Sequence, residues 1–195
     1  LMFNSSRRLV APMSMQPRVI ALTGSPGTGK STFASRLQKE GLTVITLEEV
    51  AESVDALSQF EELSEVEISK LAEWKWKGDS HCIIDGHLSH HCPIDAVIVL
   101  RCNPLELRNR LEQRTGYGPG KIESNVEWEL ISGVWADLIE LHPHANVIEI
   151  DTTEHDVSMD SVLDFILNDT PSLSVEEFIS DSIDWIATRI DAESI

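Results

Sequence analysis

The sequence predicts an α/β protein built around a mostly parallel sheet. Short β-branched and apolar runs alternate with helical patterns along the chain, the order that places helices over parallel strands. A glycine-rich turn joins the first such run to the first helical pattern. The chain has 195 residues, 42% hydrophobic and 25% charged, enough for one domain with a full core.

The first strand is expected at Val19 to Leu22, and the first helix from Ser31 to Glu40, stopped by Gly41. Val44 to Leu47 reads as a second strand. Residues 48–77 are acidic with spaced apolar positions (Val50, Leu57, Leu63, Leu71) and read as helical pieces and loops. Cys82 to Asp85 and Ala96 to Cys102 are two buried-looking strands. Asn103-Pro104-Leu105-Glu106 is a helix start with proline at the first helical position. Residues 115–120 (Thr-Gly-Tyr-Gly-Pro-Gly) mark a loop, followed by one long helical pattern from Lys121 to about Leu141. Val147 to Ile150 is a fifth strand, with a helix after it from about Ser158 to Leu167. A capping box at Ser174 and Glu177 opens a last amphipathic helix over about 174–194, with Val175, Phe178, Ile179, Ile183, Ile186 and Ile190 on its apolar face.

Residues 1–16 carry no such pattern. Arg7 and Arg8 precede an apolar stretch, Leu9 to Ala11, far too short for an export signal. A loose tail is expected there, with the functional start near Met13 or Met15 and a single domain over 17–195.

Gly24-Ser-Pro-Gly-Thr-Gly29-Lys30-Ser31 matches the P-loop pattern G-x-x-x-x-G-K-[ST] at every position, between a strand and a helix. Such a loop turns its backbone N–H groups around phosphate oxygens at the positive end of the helix. Lys30 would reach the β and γ phosphates and the Ser31 hydroxyl would ligate Mg²⁺. A P-loop also needs an acid at the end of a neighbouring strand. Asp85, closing the apolar run Cys82-Ile-Ile, supplies it, with His87 two residues on.

Residues 81–92 hold four histidines and two cysteines, which invites a second metal reading. One helical face could use His87, His90 and His91. The paired C-x₂-C and H-x₃-H spacings of zinc sites are absent, so packed cysteines and surface histidines are expected instead. The three cysteines, Cys82, Cys92 and Cys102, sit in or beside apolar runs and read as reduced, buried thiols of a cytoplasmic protein. No apolar run reaches the roughly 20 residues of a membrane span.

Net charge is −18, and after Lys121 the only Lys or Arg is Arg189. Such a surface repels nucleic acid phosphates and suits a basic protein partner, so direct DNA binding is not expected. A general acidic bias of a salt-adapted proteome is the alternative source of the charge.

Several stretches resemble the adenylate kinase isoenzyme 6-like proteins, also called CINAP, an archaeal and eukaryotic family. They are residues 22–32 around the P-loop, Asp85-Gly-His-Leu-Ser-His90, residues 97–104 (Val-Ile-Val-Leu-Arg-Cys-Asn-Pro), Arg110-Leu-Glu-Gln-Arg114, and Lys121-Ile-Glu-Ser-Asn-Val-Glu127. The resemblance implies a P-loop kinase fold with a five-stranded parallel sheet. It implies phosphoryl transfer between ATP and AMP or a related monophosphate, with ATPase activity. It also implies a role in small ribosomal subunit maturation through a basic ribosomal protein. Gly24, Gly27, Thr28, Gly29, Lys30, Ser31 and Thr32 would bind ATP, with Arg110 and Arg114 beside them. Lys30, Asp85, His87 and Arg114 would be catalytic, and Ser31 and Asp85 would hold Mg²⁺. The monophosphate-binding segment would lie within about 44–65 and the lid within about 113–123.

The sequence departs from the family twice. The lid carries one extra residue, Thr115, between Arg114 and Gly116-Tyr117. The monophosphate segment has no Lys or Arg between Glu40 and Lys70, while Glu48, Glu49, Glu52 and Glu61 would repel a phosphate dianion. Arg36 and Arg101 are the candidates to supply the missing charge. Without them the protein would act mainly as an ATPase switch on its ribosomal partner.

Overall fold

The computed structural model describes residues 16–60, 63–154, 157–168 and 172–188. The expected tail lies outside them apart from Gln16, as do Glu61, Arg189 and Ile190. Five strands form one sheet: β1 (Val19–Thr23), β2 (Thr43–Thr46), β5 (Cys82–Asp85), β6 (Ala96–Arg101) and β7 (Asn146–Asp151). Their order is β2-β5-β1-β6-β7 and every pairing is parallel. The fold is that of a P-loop kinase, with helices on both faces of the sheet.

The period-2 alternation of buried strands assigns the two layers. On one face Ile20, Leu22, Ile98 and Leu100 pack against Phe33 and Leu37 of α1 (Lys30–Lys39) and Phe165 and Ile166 of α7 (Asp160–Leu167). On the other, Ala21, Val97, Val99 and Val147 meet Trp135 and Leu138 of α6 (Gly133–Leu141) and Val175 of α8 (Val175–Phe178). Cys82 and Ile84 turn into a further cluster with Leu47 and Val50 of α2 (Leu47–Ser53) and Leu71 of α3 (Ile68–Leu71). Cys82, Cys92 and Cys102 are buried free thiols, as expected.

Three elements depart from the sequence reading. β3 (Leu57–Phe60) and β4 (Leu63–Val66) pair antiparallel where the sequence reads as helical pieces and loops. The long helix expected from Lys121 is two, α5 (Pro119–Leu130) and α6, because Ser132 takes a left-handed φ of 54°. Gly133 follows under the Trp128 ring, where a Cβ would stand 2.3 Å from ring carbons. The C-terminal helix also breaks: α8 ends at Phe178, a 3₁₀ turn covers Ile179–Asp181, and Ser182 is extended. The cause lies beneath it. The Ile183 N–H donates to Glu149 Oε2 (2.8 Å) and its carbonyl accepts from Arg101 (3.3 Å). A continuing helix would have used both groups itself.

The carboxyl ends of β1 and β5 lie side by side, with Leu22 opposite Asp85. The P-loop and the β5 acid therefore emerge at the same edge of the sheet, where open α/β sheets form their sites.

Candidate active site

The loop after β1 is a cradle that only its own residues permit. Gly24 has φ +134°, and a Cβ there would stand 2.2 Å from the Leu100 carbonyl oxygen. Gly29 caps α1 in the left-handed region with φ 93°. Thr28 is a brace: its buried hydroxyl donates to the Ser25 carbonyl (2.9 Å), and Thr152 Oγ1 lies between the Thr28 (2.8 Å) and Arg101 (2.7 Å) carbonyl oxygens. Lys30 Nζ lies across the loop, donating to the Gly24 (2.8 Å) and Ser25 (2.9 Å) carbonyls. Burial lowers its pKa to about 8, against the pull of Asp85. Phosphate oxygens in the cradle would favour the charged form.

Ser31 and Asp85 line the same cleft, near enough for the Ser31 hydroxyl to act on the Asp85 carboxyl. Burial raises the pKa of Asp85, opposed by Lys30 and Ser31. A hydroxyl and a carboxylate side by side at a phosphate cradle form an oxygen-only donor set, the kind that suits Mg²⁺ with phosphate and water completing its shell. His87 opens to the same cleft. Desolvation, then the charges of Lys30 and Lys121, hold its pKa below the ordinary value and favour the neutral ring.

The cleft has a volume of about 660 Å³ and runs from Gly27–Thr32 past Asp85 and His87 to Thr46, Leu47, Glu48 and Leu57 on its far wall. Arg114, Tyr117, Lys121 and Asn125 close one side. The Tyr117 ring gathers both cations, with Lys121 Nζ 4.5 Å and the Arg114 guanidinium 6.0 Å from its centroid. Cationic charge thus reaches the cleft from the lid side, although residues 41–69 carry none. Of the glutamates expected to repel a phosphate, Glu49 is engaged in the α2 cap, accepting from Thr46 N (2.7 Å) and Oγ1 (3.0 Å).

A second cavity of about 230 Å³ opens on the other side of the P-loop, between Thr32, Phe33, Arg36, Arg110, Arg114, Thr152 and Val157. Arg110 does not face the lid. It holds the Thr152 and Thr153 carbonyls (2.8 and 2.9 Å) and Glu106 (3.0 Å), and Arg36 holds the Val157 carbonyl at 2.6 Å. Both arginines frame the loop after β7.

Arg101 cannot supply charge to the cleft. It is fully buried and paired with Glu129 (2.7 Å) and Glu149 (2.8 Å). Glu129 in turn accepts from Ser25 Oγ of the P-loop (2.6 Å), the Cys102 N–H (3.1 Å) and Trp185 Nε1 (3.1 Å). Glu129 belongs to no motif in the sequence, although a signal exists: it falls on the stripe Ile122, Val126, Glu129 that α5 buries. His90, expected at the surface, is also buried, and lies outside the main cleft with His91.

The AAA domain family (AAA_18) matches residues 20–132. Three archaeal proteins named “Putative adenylate kinase” are similar over most of their length. That of Pyrococcus abyssi is 39% identical over 164 residues, covering 83% of this chain and 82% of its own. Those of Pyrococcus furiosus (45% over 141 residues, 69% and 75%) and Archaeoglobus fulgidus (41% over 150 residues, 76% and 79%) follow. The chain belongs to this family. In this member of it the P-loop, Asp85 and His87 all lie within the matched region, and so do Arg114, Lys121 and Glu129.

Proposed function

We propose that the protein transfers the γ-phosphoryl group of ATP to AMP or a related nucleoside monophosphate. The observation that carries this reading is the two-walled cleft, which extends beyond the P-loop to Thr46, Glu48 and Leu57 and is lined by Lys30, Arg114 and Lys121. A phosphate cradle alone would serve hydrolysis. A cleft continuing past the γ-phosphate position, with cations on one side, has room for an acceptor.

The segment 44–65 would be the monophosphate-binding wall and 113–123 the lid. Backbone N–H groups of Gly27, Gly29 and Lys30 would hold the β and γ phosphates, and the cavity bordered by Arg36 and Arg110 would receive the base. Ser31 and Asp85 would hold Mg²⁺, which would offset the charge of the phosphates. Lys30 and Arg114 would meet the negative charge spread over the transferring group, the term that dominates such catalysis. His87, neutral and two residues from Asp85, would orient the acceptor without adding charge.

A second reading has the protein act as an ATPase switch on a basic small-subunit ribosomal protein. The acidic net charge of −18 and the absence of Lys or Arg from residues 41–69 favour it. One experiment separates the two: ADP formation from MgATP by the purified protein, with and without AMP, CMP or dAMP. Strong stimulation by a monophosphate, with two nucleoside diphosphates formed per ATP consumed, is expected for the kinase. Slow, unstimulated ADP release would transfer the assignment to the switch.

A further inference from the structure

The histidine-rich stretch is only partly accounted for by the nucleotide site. Of its histidines and cysteines, only His87 lines the main cleft. His90 and His91 sit on a 3₁₀ turn, Ser89–His91, that packs against α6. There they meet Asp137, a residue 46 positions after His91 that no local motif connects with them. His90 Nε2 is 3.2 Å and His91 Nε2 3.9 Å from the same Asp137 oxygen, Oδ2. The ligand atoms of the three residues all lie within 4.8 Å of one another. Four-coordinate binding at bond lengths of about 2.0–2.1 Å places ligand atoms about 3.3 Å apart, so small side-chain rotations would close the set.

Hydrogen bonding around His90 accommodates either ring tautomer, and one of them bares Nε2 toward Asp137. Thr23 Oγ1 lies 3.1 Å from the His87 carbonyl oxygen and 2.8 Å from His90 Nδ1. A hydroxyl has one proton. If it goes to His87, Nδ1 must carry the hydrogen and donate to Thr23, which leaves the Nε2 lone pair facing a carboxylate oxygen. In that tautomer a cation between the two acceptors, 3.2 Å apart, would complete the contact. The competing arrangement puts the ring proton on Nε2, toward Asp137, and gives up the Thr23–His87 bond. His142 fixes the turn from behind, its Nε2 2.8 Å from the His90 carbonyl oxygen. A cavity of about 270 Å³ bordered by His90 and Asp137 leaves room for water as a further ligand.

We propose that His90, His91 and Asp137 form a binding site for a first-row transition-metal dication such as Zn²⁺, separate from the Ser31–Asp85 position. Two imidazoles and one carboxylate favour such ions over Mg²⁺. Thr23 serves as the outer partner that orients the His90 ring. The bound ion fastens the turn after β5 to α6, behind the P-loop.

The test is equilibrium dialysis of the chelator-treated full chain against Zn²⁺, with Mg²⁺ in excess to occupy the oxygen-only position. The wild-type chain is expected to retain one equivalent. His91→Ala and Asp137→Asn should each weaken binding by more than about 100-fold, and Thr23→Val by about 10–100-fold. Zn²⁺ should raise the Tm of the wild-type chain and leave that of His91→Ala unchanged. Co²⁺ should give the visible absorption of a four-coordinate site in the wild-type chain only. Circular dichroism and Tm of the metal-free variants, expected to match wild type closely, keep folding separate from binding. No Zn²⁺ uptake by the wild-type chain, or unchanged stoichiometry and affinity in both ligand variants, would overturn the proposal.

Discussion

His87 and His91 are four residues apart and do different things, which single substitutions can separate. His87 stands in the cleft within the fields of Lys30 and Lys121, whereas His91 faces Asp137. His87→Ala is expected to lower turnover by about 100-fold or more, the range for losing a positioned group at the reacting centre, with Tm little changed. His91→Ala, assayed with transition metals chelated, should stay within about twofold of wild type. Steady-state kinetics on both variants checks this, and equal losses would contradict the separation. The thiols give a second residue-scale prediction. Cys82, Cys92 and Cys102 are each buried with a pKa pushed up to about 12, chiefly by desolvation. Nucleophilic thiolate is therefore scarce at pH 8. Ellman's reagent should titrate almost no thiol in the native protein and three in denaturant. Rapid native labelling of one thiol would show that its surroundings open.

Among the elements, the glycine-rich loops show which backbone positions are constrained by neighbours and which by conformation alone. Gly24 combines φ +134° with the Leu100 carbonyl 2.2 Å from any Cβ, whereas Gly116 has φ +83° and nothing within 4 Å. Gly24→Ala should cost about 3 kcal/mol or more and abolish ATP binding. Gly116→Ala should cost about 1–2 kcal/mol, the left-handed penalty alone, and leave the cradle intact. Urea denaturation and ATP titration of both variants distinguish the cases. The same contrast explains what the sequence makes legible. All five strands of the parallel sheet, α1, α4 (Pro104–Glu112) and the capping box at Ser174–Glu177 could be read locally, because apolar alternation, Pro104 and Ser174 act on their own neighbours. The break at Ser132, the extended Ser182 and the orientation of Arg110 could not. Each answers to partners far along the chain, such as Glu149 for Ile183 and Thr152 for Arg110. In the site, Lys30, Ser31 and Asp85 were legible for the local reason, whereas Lys121 enters through the Tyr117 ring and Asp137 through the packing of α6 on a turn.

Across the whole molecule, one buried polar cluster joins the P-loop to the C-terminal segment. Glu129 holds Ser25 of the P-loop, Arg101 of β6 and Trp185 beyond α8, while Glu149 holds Arg101, Trp135 Nε1 (2.8 Å) and the Ile183 N–H. Buried charges of this kind add little net stability when complete and cost about 3–5 kcal/mol when one partner is removed. Glu129→Ala takes one carboxylate from Arg101 and strands the donors of Ser25, Cys102 and Trp185, so a loss of that size is expected. Trp185→Phe removes one N–H from a carboxylate that keeps its other donors, which should cost only about 1 kcal/mol. The two variants also differ at the nucleotide. Glu129→Ala frees the Ser25 hydroxyl within the cradle and should weaken ATP binding by about tenfold, one lost hydrogen bond's worth of loop order. Trp185→Phe leaves Ser25 bound to Glu129 and should bind ATP as wild type does. Denaturation curves and ATP titration of both chains test the assignment. Equal loss of ATP affinity in the two would mean that the C-terminal segment acts on the loop through the cluster as a unit. A Glu129→Ala chain as stable as wild type would contradict the cluster as the tie between the ends of the fold.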